Sequence, residues 1–192
     1  MNEMKPFELS KRTGNIGLDF INSANFHRTE NHQEWFNSEM DVMKWADYTG
    51  ISVEEDSGSA MSLAEMIELR EVMYRLALHA IKRTIAAVDD RRTFNEWIKQ
   101  AHKHTEVTQN EAGVFEKKLI GAGGLTNIAY VVVLAFGDLI MSKTIQKVKQ
   151  CQSSRCEWLF IDQTKNQSKQ WCSMKVCGNR EKAKRFYHST KK

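Results

Sequence analysis

The 192-residue sequence has a single proline, no cysteine before residue 151 and no long apolar segment. Its longest apolar run, residues 128–136, is well short of the roughly 20 residues that a membrane-spanning helix needs, so we predict a buried helix and no membrane partner. The start of the chain has no basic region followed by an apolar run and a cleavage site, which predicts the reducing cytoplasm as the compartment. Because the lone proline is Pro6, we expect a short connection near residues 143–150 rather than a flexible linker.

Catalytic signatures are also absent. Residues 121–124, Gly-Ala-Gly-Gly, lack the spacing of a phosphate-binding loop, and the sequence has neither an H-E-x-x-H nor a G-x-S-x-G pattern. The four cysteines form one cluster, and if that cluster binds a metal no thiol is left for nucleophilic catalysis. We therefore predict that the protein is not an enzyme.

Positive charge is scarce in the first part of the chain and concentrated in its last fifty residues. Residues 1–142 contain 15 Lys and Arg against 21 Asp and Glu, a net charge of −6, whereas residues 143–192 contain 13 against 3, a net charge of +10. Such a basic end is typical of a contact with nucleic acid or another polyanion, because neutralised phosphates release condensed counterions. A solvated basic tail is the alternative that charge alone leaves open.

Apolar residues at helical spacing predict a mainly α-helical body over residues 1–142. The segments with this spacing are 16–26, 39–50, 62–85 and 89–104. Gly50 supplies a helix stop, and Ser62 followed three residues later by Glu65 predicts a capping box. The polar residues 51–60 predict a loop between two helical hairpins.

Two further segments complete the predicted body. Residues 105–121 alternate in polarity around a glycine-containing turn, which predicts a small β-hairpin. Residues 125–142 contain a β-branched run that suits a strand, but their length and Ala and Leu content favour a buried helix capped near Thr126.

The four cysteines lie at Cys151, Cys156, Cys172 and Cys177, in the pattern C-x4-C-x15-C-x4-C. Two pairs at this spacing can each clamp one side of a tetrahedral ion, and four thiolates saturate Zn²⁺ without leaving a position for water. We therefore predict one structural zinc ion per chain. Two disulfides, four unrelated thiols or an iron–sulfur cluster are the alternatives that the spacing leaves open.

The predicted finger, residues 143–192, is too small to fold on apolar packing alone, and zinc binding would supply the missing free energy. Between the cysteine pairs, residues 157–171 predict a β-hairpin, and a basic helix follows the last cysteine. The aromatic residues predicted to form the core around the ion are Trp158, Phe160, Trp171, Phe186 and Tyr187. In the basic helix, Ala183, Phe186 and Tyr187 predict an inward face and leave the cations outward.

Residues 151–187, with Cys-Gly-Asn-Arg at 177–180, resemble the CGNR zinc finger that ends bacterial ABATE-domain proteins. Residues 17–23 and 68–81 are similar to the N-terminal helical region of that family, although Ser23 stands where the family more usually has threonine. The resemblance implies a stress-induced transcription regulator, with a helical body that responds to a ligand or partner and a zinc module that binds DNA. It leaves the oligomeric state open, a homodimer included.

The residues predicted to contact DNA phosphates are Lys169, Arg180, Lys182, Lys184 and Arg185. In the body, the polar residues Asp19, Asn22, Arg28 and Arg70 stand in or beside apolar helices and predict a small-molecule pocket, unless they act as helix caps and inter-helix hydrogen bonds. A protein-interaction adaptor, in which the basic helix docks on an acidic partner, is the alternative to DNA binding.

Overall fold

A computed structural model of the chain describes residues 13–53 and 61–189. The predicted loop at 51–60 therefore falls mostly outside the described residues. The elements of the body are α1 (Ile16–Ile21), β1 (Ala24–Asn25), β2 (Gln33–Glu34), α2 (Glu39–Thr49), α3 (Leu63–Lys82), α4 (Val88–Lys103), β3 (Thr105–Gln109), β4 (Phe115–Leu119) and α5 (Gly124–Met141). A 3-10 helix (Lys143–Lys147), β5 (Val148–Gln150), β6 (Leu159–Ile161), a π-helical turn (Met174–Gly178) and α6 (Asn179–Ser189) follow. The fold is mainly α, as predicted, with three two-stranded antiparallel sheets among the described residues.

The signals at the helix ends act as the sequence indicates. The Ser62 hydroxyl accepts a hydrogen bond from the Glu65 N–H, and the Glu65 carboxylate accepts one from the Ser62 N–H, which completes the predicted capping box at the start of α3. Gly50 ends α2 in the left-handed conformation with φ of 84°, which costs glycine little because it has no Cβ atom. The predicted hairpin at 105–121 is present as β3 and β4.

One predicted helix end and one predicted helix cap are wrong. The first helix ends at Ile21 and not at residue 26, because the chain turns after Asn22 into the short strand β1, which pairs with β2. The start of α5 is not capped by Thr126; Gly123 occupies the N-cap position and provides no side-chain hydrogen bond.

The central helix α5 is the core around which α1, α2, α3 and α4 pack. α1 approaches so closely that a Cβ atom on Gly17 would lie 2.6 Å from Phe136 Cβ. α5 is the one helix in the described ranges that is long and apolar enough to cross a membrane by those two measures alone. Since it lies mostly buried among the other helices, it meets the description of a core helix, as its sequence predicts.

The short connection predicted near residues 143–150 consists of the 3-10 helix and β5. The Ser142 hydroxyl caps this helix by accepting a hydrogen bond from the Thr144 N–H at 3.1 Å. Val148 and Leu159, from β5 and β6, are buried in the same apolar core as the body helices. The finger is thus built outward from a hairpin whose base belongs to the core of the body. The position of the domain boundary at residue 142 stays a prediction.

Candidate metal centre and nucleic-acid interface

The four cysteine thiols, which belong to the C-terminal part of the chain, converge on one point. Their Sγ atoms all lie within 4.8 Å of one another, and the Cys172 Sγ is 3.7 Å from the Sγ atoms of both Cys156 and Cys177. Tetrahedral Zn–S bonds of about 2.3 Å separate neighbouring sulfurs by about 3.8 Å. The thiols therefore fit one structural zinc ion, which Cys151, Cys156, Cys172 and Cys177 would hold.

The surroundings of the thiols support a closed, structural site. Cys151, Cys156 and Cys177 are buried and Cys172 is half-buried. Hydrogen bonding with the other three thiols lowers the pKa of Cys151 and raises the pKa of Cys156, because one thiolate is stabilised by its neighbours but opposes further ionisation. A divalent cation removes this opposition, and four sulfur ligands leave it no position for a reacting water.

The first cysteine pair lies within the hairpin, and the second lies shortly before α6, with Cys177 in the π-helical turn. β5 ends directly before Cys151, and the chain passes through Cys156 before it returns as β6, with Gln150 opposite Leu159. The hairpin predicted between the cysteine pairs is therefore wrong in its position. Its second strand is β6, but its first strand precedes Cys151, and the segment after β6 forms a turn with no strand.

Asp162 organises that turn and was missed by the sequence patterns. Its buried carboxylate accepts hydrogen bonds from the Lys149 ammonium at 2.7 Å, from the Thr164 hydroxyl at 2.6 Å and from the Lys169 N–H at 2.9 Å. Burial alone raises the pKa of Asp162, but these donors outweigh it and hold the pKa well below its ordinary value. The signal that could have revealed this role is the D-x-T sequence at 162–164, which is typical of a turn closed by an aspartate side chain.

Cys177 lies in the π-helical turn directly before α6, so the basic helix follows the last cysteine as predicted. Ser173 caps the turn by accepting a hydrogen bond from the Val176 N–H at 3.3 Å, and the Cys177 N–H donates to the Ser173 carbonyl at 2.9 Å. A Cβ atom on Gly178 would lie 2.4 Å from the Met174 sulfur, so this glycine leaves room for a side chain of the same turn. Asn179 donates to the Lys175 carbonyl at 3.2 Å, a local bond to the main chain of the preceding turn.

The predicted inward face of α6 is wrong. Phe186 and Tyr187 are 71 % and 56 % exposed, and α6 has no buried residue among those described. The side of the helix that meets the finger carries Glu181, whose carboxylate accepts from the Ser154 N–H at 2.9 Å, and Arg185, which lies over the Trp171 ring at 5.9 Å. Helical spacing correctly groups Phe186 and Tyr187 on one face of α6, but the opposite face packs on the finger because Glu181 binds polar groups of the first cysteine loop.

The aromatic core of the finger consequently differs from the prediction. Trp158 and Phe160 are buried and Trp171 is half-buried, as expected. A residue from the body completes the cluster: Trp35 meets Trp158 edge-to-face with ring centroids 5.3 Å apart. A residue so distant in sequence could not be assigned to the finger from sequence patterns.

The predicted phosphate-contacting residues all lie on the finger, but their environments differ. Arg180, Lys182, Lys184 and Arg185 are exposed along α6, whereas Lys169 is half-buried with its ammonium 4.9 Å from the centre of the Phe160 ring. Lys184 also lies 3.2 Å from the Ser154 hydroxyl. The Lys182 ammonium makes no hydrogen bond or ion pair with any other described residue, so none of those residues competes with a partner for its charge.

A cleft of about 190 Å³ lies beside the thiols, and residues of both the finger and the body line it. Arg155 and Arg180 line it together with Trp35 and Trp158. Two guanidinium groups and two indole rings around one concave surface provide the donors and the flat apolar contacts that phosphates and bases require.

The four residues predicted to form a ligand pocket each contact other parts of the fold. Asn22 binds the backbone of Leu159, Asp19 accepts from the Thr13 N–H at 3.3 Å, and exposed Arg28 pairs with Glu68. Arg70 is fully buried and is described below with its partners. These contacts correspond to the alternative interpretation, caps and hydrogen bonds between elements, and a pocket formed by these four residues stays a prediction.

A buried ionic network links Arg70 to β2 and to the loop after β1. Its guanidinium donates to both carboxylate oxygens of Glu34 at 2.6 Å and to Glu71 at 2.9 Å, while Glu71 also pairs with His27 at 3.0 Å. Burial raises the pKa of Glu71, but His27 and Arg70 outweigh burial and lower the pKa to about 2. Tyr74 stacks on the His27 ring at 3.8 Å.

Tyr74 extends this network to the finger. Its hydroxyl lies 3.4 Å from the Glu157 carboxylate and accepts from the Gln150 amide at 3.1 Å. Burial and the negative charge of Glu157 raise the pKa of Tyr74, so the hydroxyl remains a neutral donor. The charged interior of the body is therefore connected to the base of the finger through Tyr74, which stacks on His27 on one side and hydrogen-bonds to the finger on the other.

Comparisons with known proteins agree with this architecture. Residues 147–189 match the model of a family described as "CGNR zinc finger", and residues 14–140 match the ABATE model, described as "Putative stress-induced transcription regulator". A search of curated proteins finds no match. Both families are of the regulator and zinc-finger type. The ABATE match covers more than half of the chain, and its position before a CGNR zinc finger agrees with the helical body and the four-cysteine centre: the chain belongs to the ABATE family and ends in a CGNR zinc finger.

Proposed function

We propose that the protein is a DNA-binding transcriptional regulator whose zinc-fixed helix α6 contacts the phosphate backbone. The observation that carries this proposal is the exposure of the whole helix together with its cations, at the end of the chain that has a net charge of +10. Residues 143–192 contain three carboxylates, and two of them are turned away from a partner. Asp162 is buried, and Glu181 accepts a hydrogen bond from the Ser154 N–H. Phosphate groups would therefore meet a surface from which most opposing charge has been withdrawn.

Arg180 has a second feature that supports a phosphate contact. It lines the cleft beside the thiols with Arg155, so two guanidinium groups from different parts of the finger face one concave surface. Arginine forms paired hydrogen bonds with phosphate oxygens, and such contacts position a protein on DNA without reading its sequence.

The test is a fluorescence titration of the zinc-loaded chain with duplex DNA at several salt concentrations. With about five phosphate contacts, the logarithm of the association constant should fall with the logarithm of salt concentration with a slope of about −4 to −5, since each contact contributes about −0.9. Lys182→Ala should reduce the magnitude of the slope by about 0.9, because Lys182 has no other partner among the described residues.

Lys117→Ala, in the β3–β4 hairpin of the body, is the matched control and should leave the slope unchanged. Salt-sensitive binding that is equally weakened by Lys117→Ala and Lys182→Ala would contradict the assignment to α6. Absence of salt-sensitive binding to DNA would contradict the proposal as a whole.

The exposed aromatic residues of α6 favour a second candidate, the protein-interaction adaptor. Phe186 and Tyr187 present apolar surface beside the cations, the combination that an acidic partner with an apolar groove would bury. The acidic body of the same chain is not this partner in the described structure, because no cation of α6 pairs with a described body carboxylate. Phe186→Ala should weaken an adaptor contact strongly, whereas a backbone contact with DNA should depend far more on Lys182.

The proposed regulator also requires a responsive body. The hydrogen bonds of Asn22 and Tyr74 join the body directly to β5, β6 and the first cysteine loop. We propose that the body binds a small-molecule effector and transmits its presence to the finger through these contacts. An effector that binds the body but leaves the DNA affinity unchanged would contradict this role.

A further inference from the structure

A cleft between the ends of α3, α4 and α5 has the size and lining of a small-molecule site. Its volume is about 420 Å³, within the range of about 300–1,000 Å³ that is typical of ligand pockets. Leu76, Phe94 and Ile98 give it an apolar wall, and the small residues Ala80 and Gly137 leave the space open. None of the four residues that the sequence predicted for a ligand pocket lines it.

Arg91 brings a positive charge to the edge of this cleft. Arg91 is exposed, and its guanidinium makes no ion pair or hydrogen bond with any residue in the described ranges, although it lies beside an apolar cavity. The neighbouring carboxylate of Asp90 is already held by Arg75 at 2.6 Å. His79 Nδ1 lies 2.7 Å from the Thr84 hydroxyl, which leaves the second ring nitrogen for another partner.

We propose that this cleft binds a small carboxylic acid with an apolar body. The apolar part would lie against Leu76, Phe94 and Ile98, where it loses contact with water. The carboxylate would pair with Arg91 at the edge of the cleft, since an arginine beside an apolar cavity is complementary to an amphipathic anion and not to a neutral hydrocarbon.

The position of the cleft relates it to the finger. Ile140 and Met141, at the end of α5, line it, and the next residue, Ser142, caps the 3-10 helix that leads to β5 and Cys151. An occupant would thus contact the last turn of the helix from which the finger is built. This inference rests on the proposed role of the body as an effector-binding unit, but binding itself can be measured without DNA.

The experiment is isothermal titration calorimetry of the full zinc-loaded chain with octanoate, and with octanol as the uncharged probe. Octanoate should bind the wild-type chain, and Arg91→Gln should weaken its binding about tenfold, the equivalent of about 1.4 kcal/mol. Arg92→Gln, one residue further along α4, should have little effect because Arg92 does not line the cleft and is paired with Asp89. Octanol should bind the wild type and Arg91→Gln equally.

Ala80→Trp tests the cavity independently of the charge, because the indole would fill the space and abolish octanoate binding. Lack of octanoate binding to the wild type would overturn the proposal, as would equal binding by Arg91→Gln and Arg92→Gln. A dimer that Ala80→Trp disrupts, combined with no octanoate binding, would also overturn it by assigning the cleft to a second copy of the chain. None of these results depends on whether the finger binds DNA.

Discussion

The side chain of Asn22 forms two hydrogen bonds, each 2.8 Å long, with the backbone of Leu159, 137 residues further along the chain. The amide nitrogen donates to the Leu159 carbonyl and the amide oxygen accepts from the Leu159 N–H. A single asparagine thus takes the place of a neighbouring strand at the free edge of β6. This pair of bonds fixes the base of the finger against α1.

Asn22→Ala should lower the free energy of unfolding by about 2–4 kcal/mol, because it leaves a buried N–H and a buried C=O without partners. Urea denaturation followed by tryptophan fluorescence would measure the loss. Asn95→Ala, on exposed α4, is the control and should change stability by less than about 0.5 kcal/mol. Similar values for the two variants would mean that water replaces the Asn22 amide without cost.

Cys177→Ser should abolish zinc binding and unfold α6 together with the turn after β6. The core helices should remain folded, because the apolar cluster that contains them does not include the thiols. Native mass spectrometry should detect one zinc ion in the wild type and none in the variant, and circular dichroism should show a small loss of helix. Ser168→Ala, in the same turn but outside the thiol cluster, should retain the ion. Four disulfide-bonded cysteines without metal in the wild type would refute the site.

Gly17→Ala should destabilise the fold by about 1–3 kcal/mol, because the added methyl group would lie 2.6 Å from Phe136 Cβ and 2.9 Å from the Phe136 nitrogen. Backbone atoms of α5 cannot move away without disturbing the core. Gly137→Ala is the informative comparison, since its new methyl group would meet only the flexible end of Ile98 at 2.7 Å. Thermal denaturation should rank Gly17→Ala as the less stable variant, and the reverse order would contradict the close contact between α1 and α5.

The stability of the protein should fall as the pH is lowered from about 5 to about 2. The folded pKa of Glu71 is about 2, below its ordinary value of 4.5, so its contribution is present above pH 4.5 and is lost as the pH falls towards 2. The shift corresponds to about 3 kcal/mol. Glu71→Gln should be less stable at neutral pH and should lose less stability than the wild type over this range. Parallel pH profiles in urea denaturation would show that the network of His27, Arg70 and Glu71 does not act in this way.

Local patterns determined most of the secondary structure. Gly50 and the Ser62–Glu65 pair mark helix ends because their interactions lie within one or two turns of chain. The cysteine spacing likewise predicted the metal centre, since tetrahedral coordination restricts the choice and arrangement of its ligands. The CGNR resemblance added the family, which the matches over 14–140 and 147–189 confirm.

Long-range contacts decided what the sequence could not. The first strand of the finger hairpin was misplaced because the pairing of Val148 with Ile161 depends on the asparagine that follows α1 and on the core of the body. The outward direction of Phe186 could not be derived from helical spacing, which defines a face but not the surface that covers it. The sequence by itself determined the helices, the zinc ligands and the basic end. Only the tertiary structure decided how the finger is held, because the groups that hold it are neighbours in space but lie 76 to 137 residues apart in the chain.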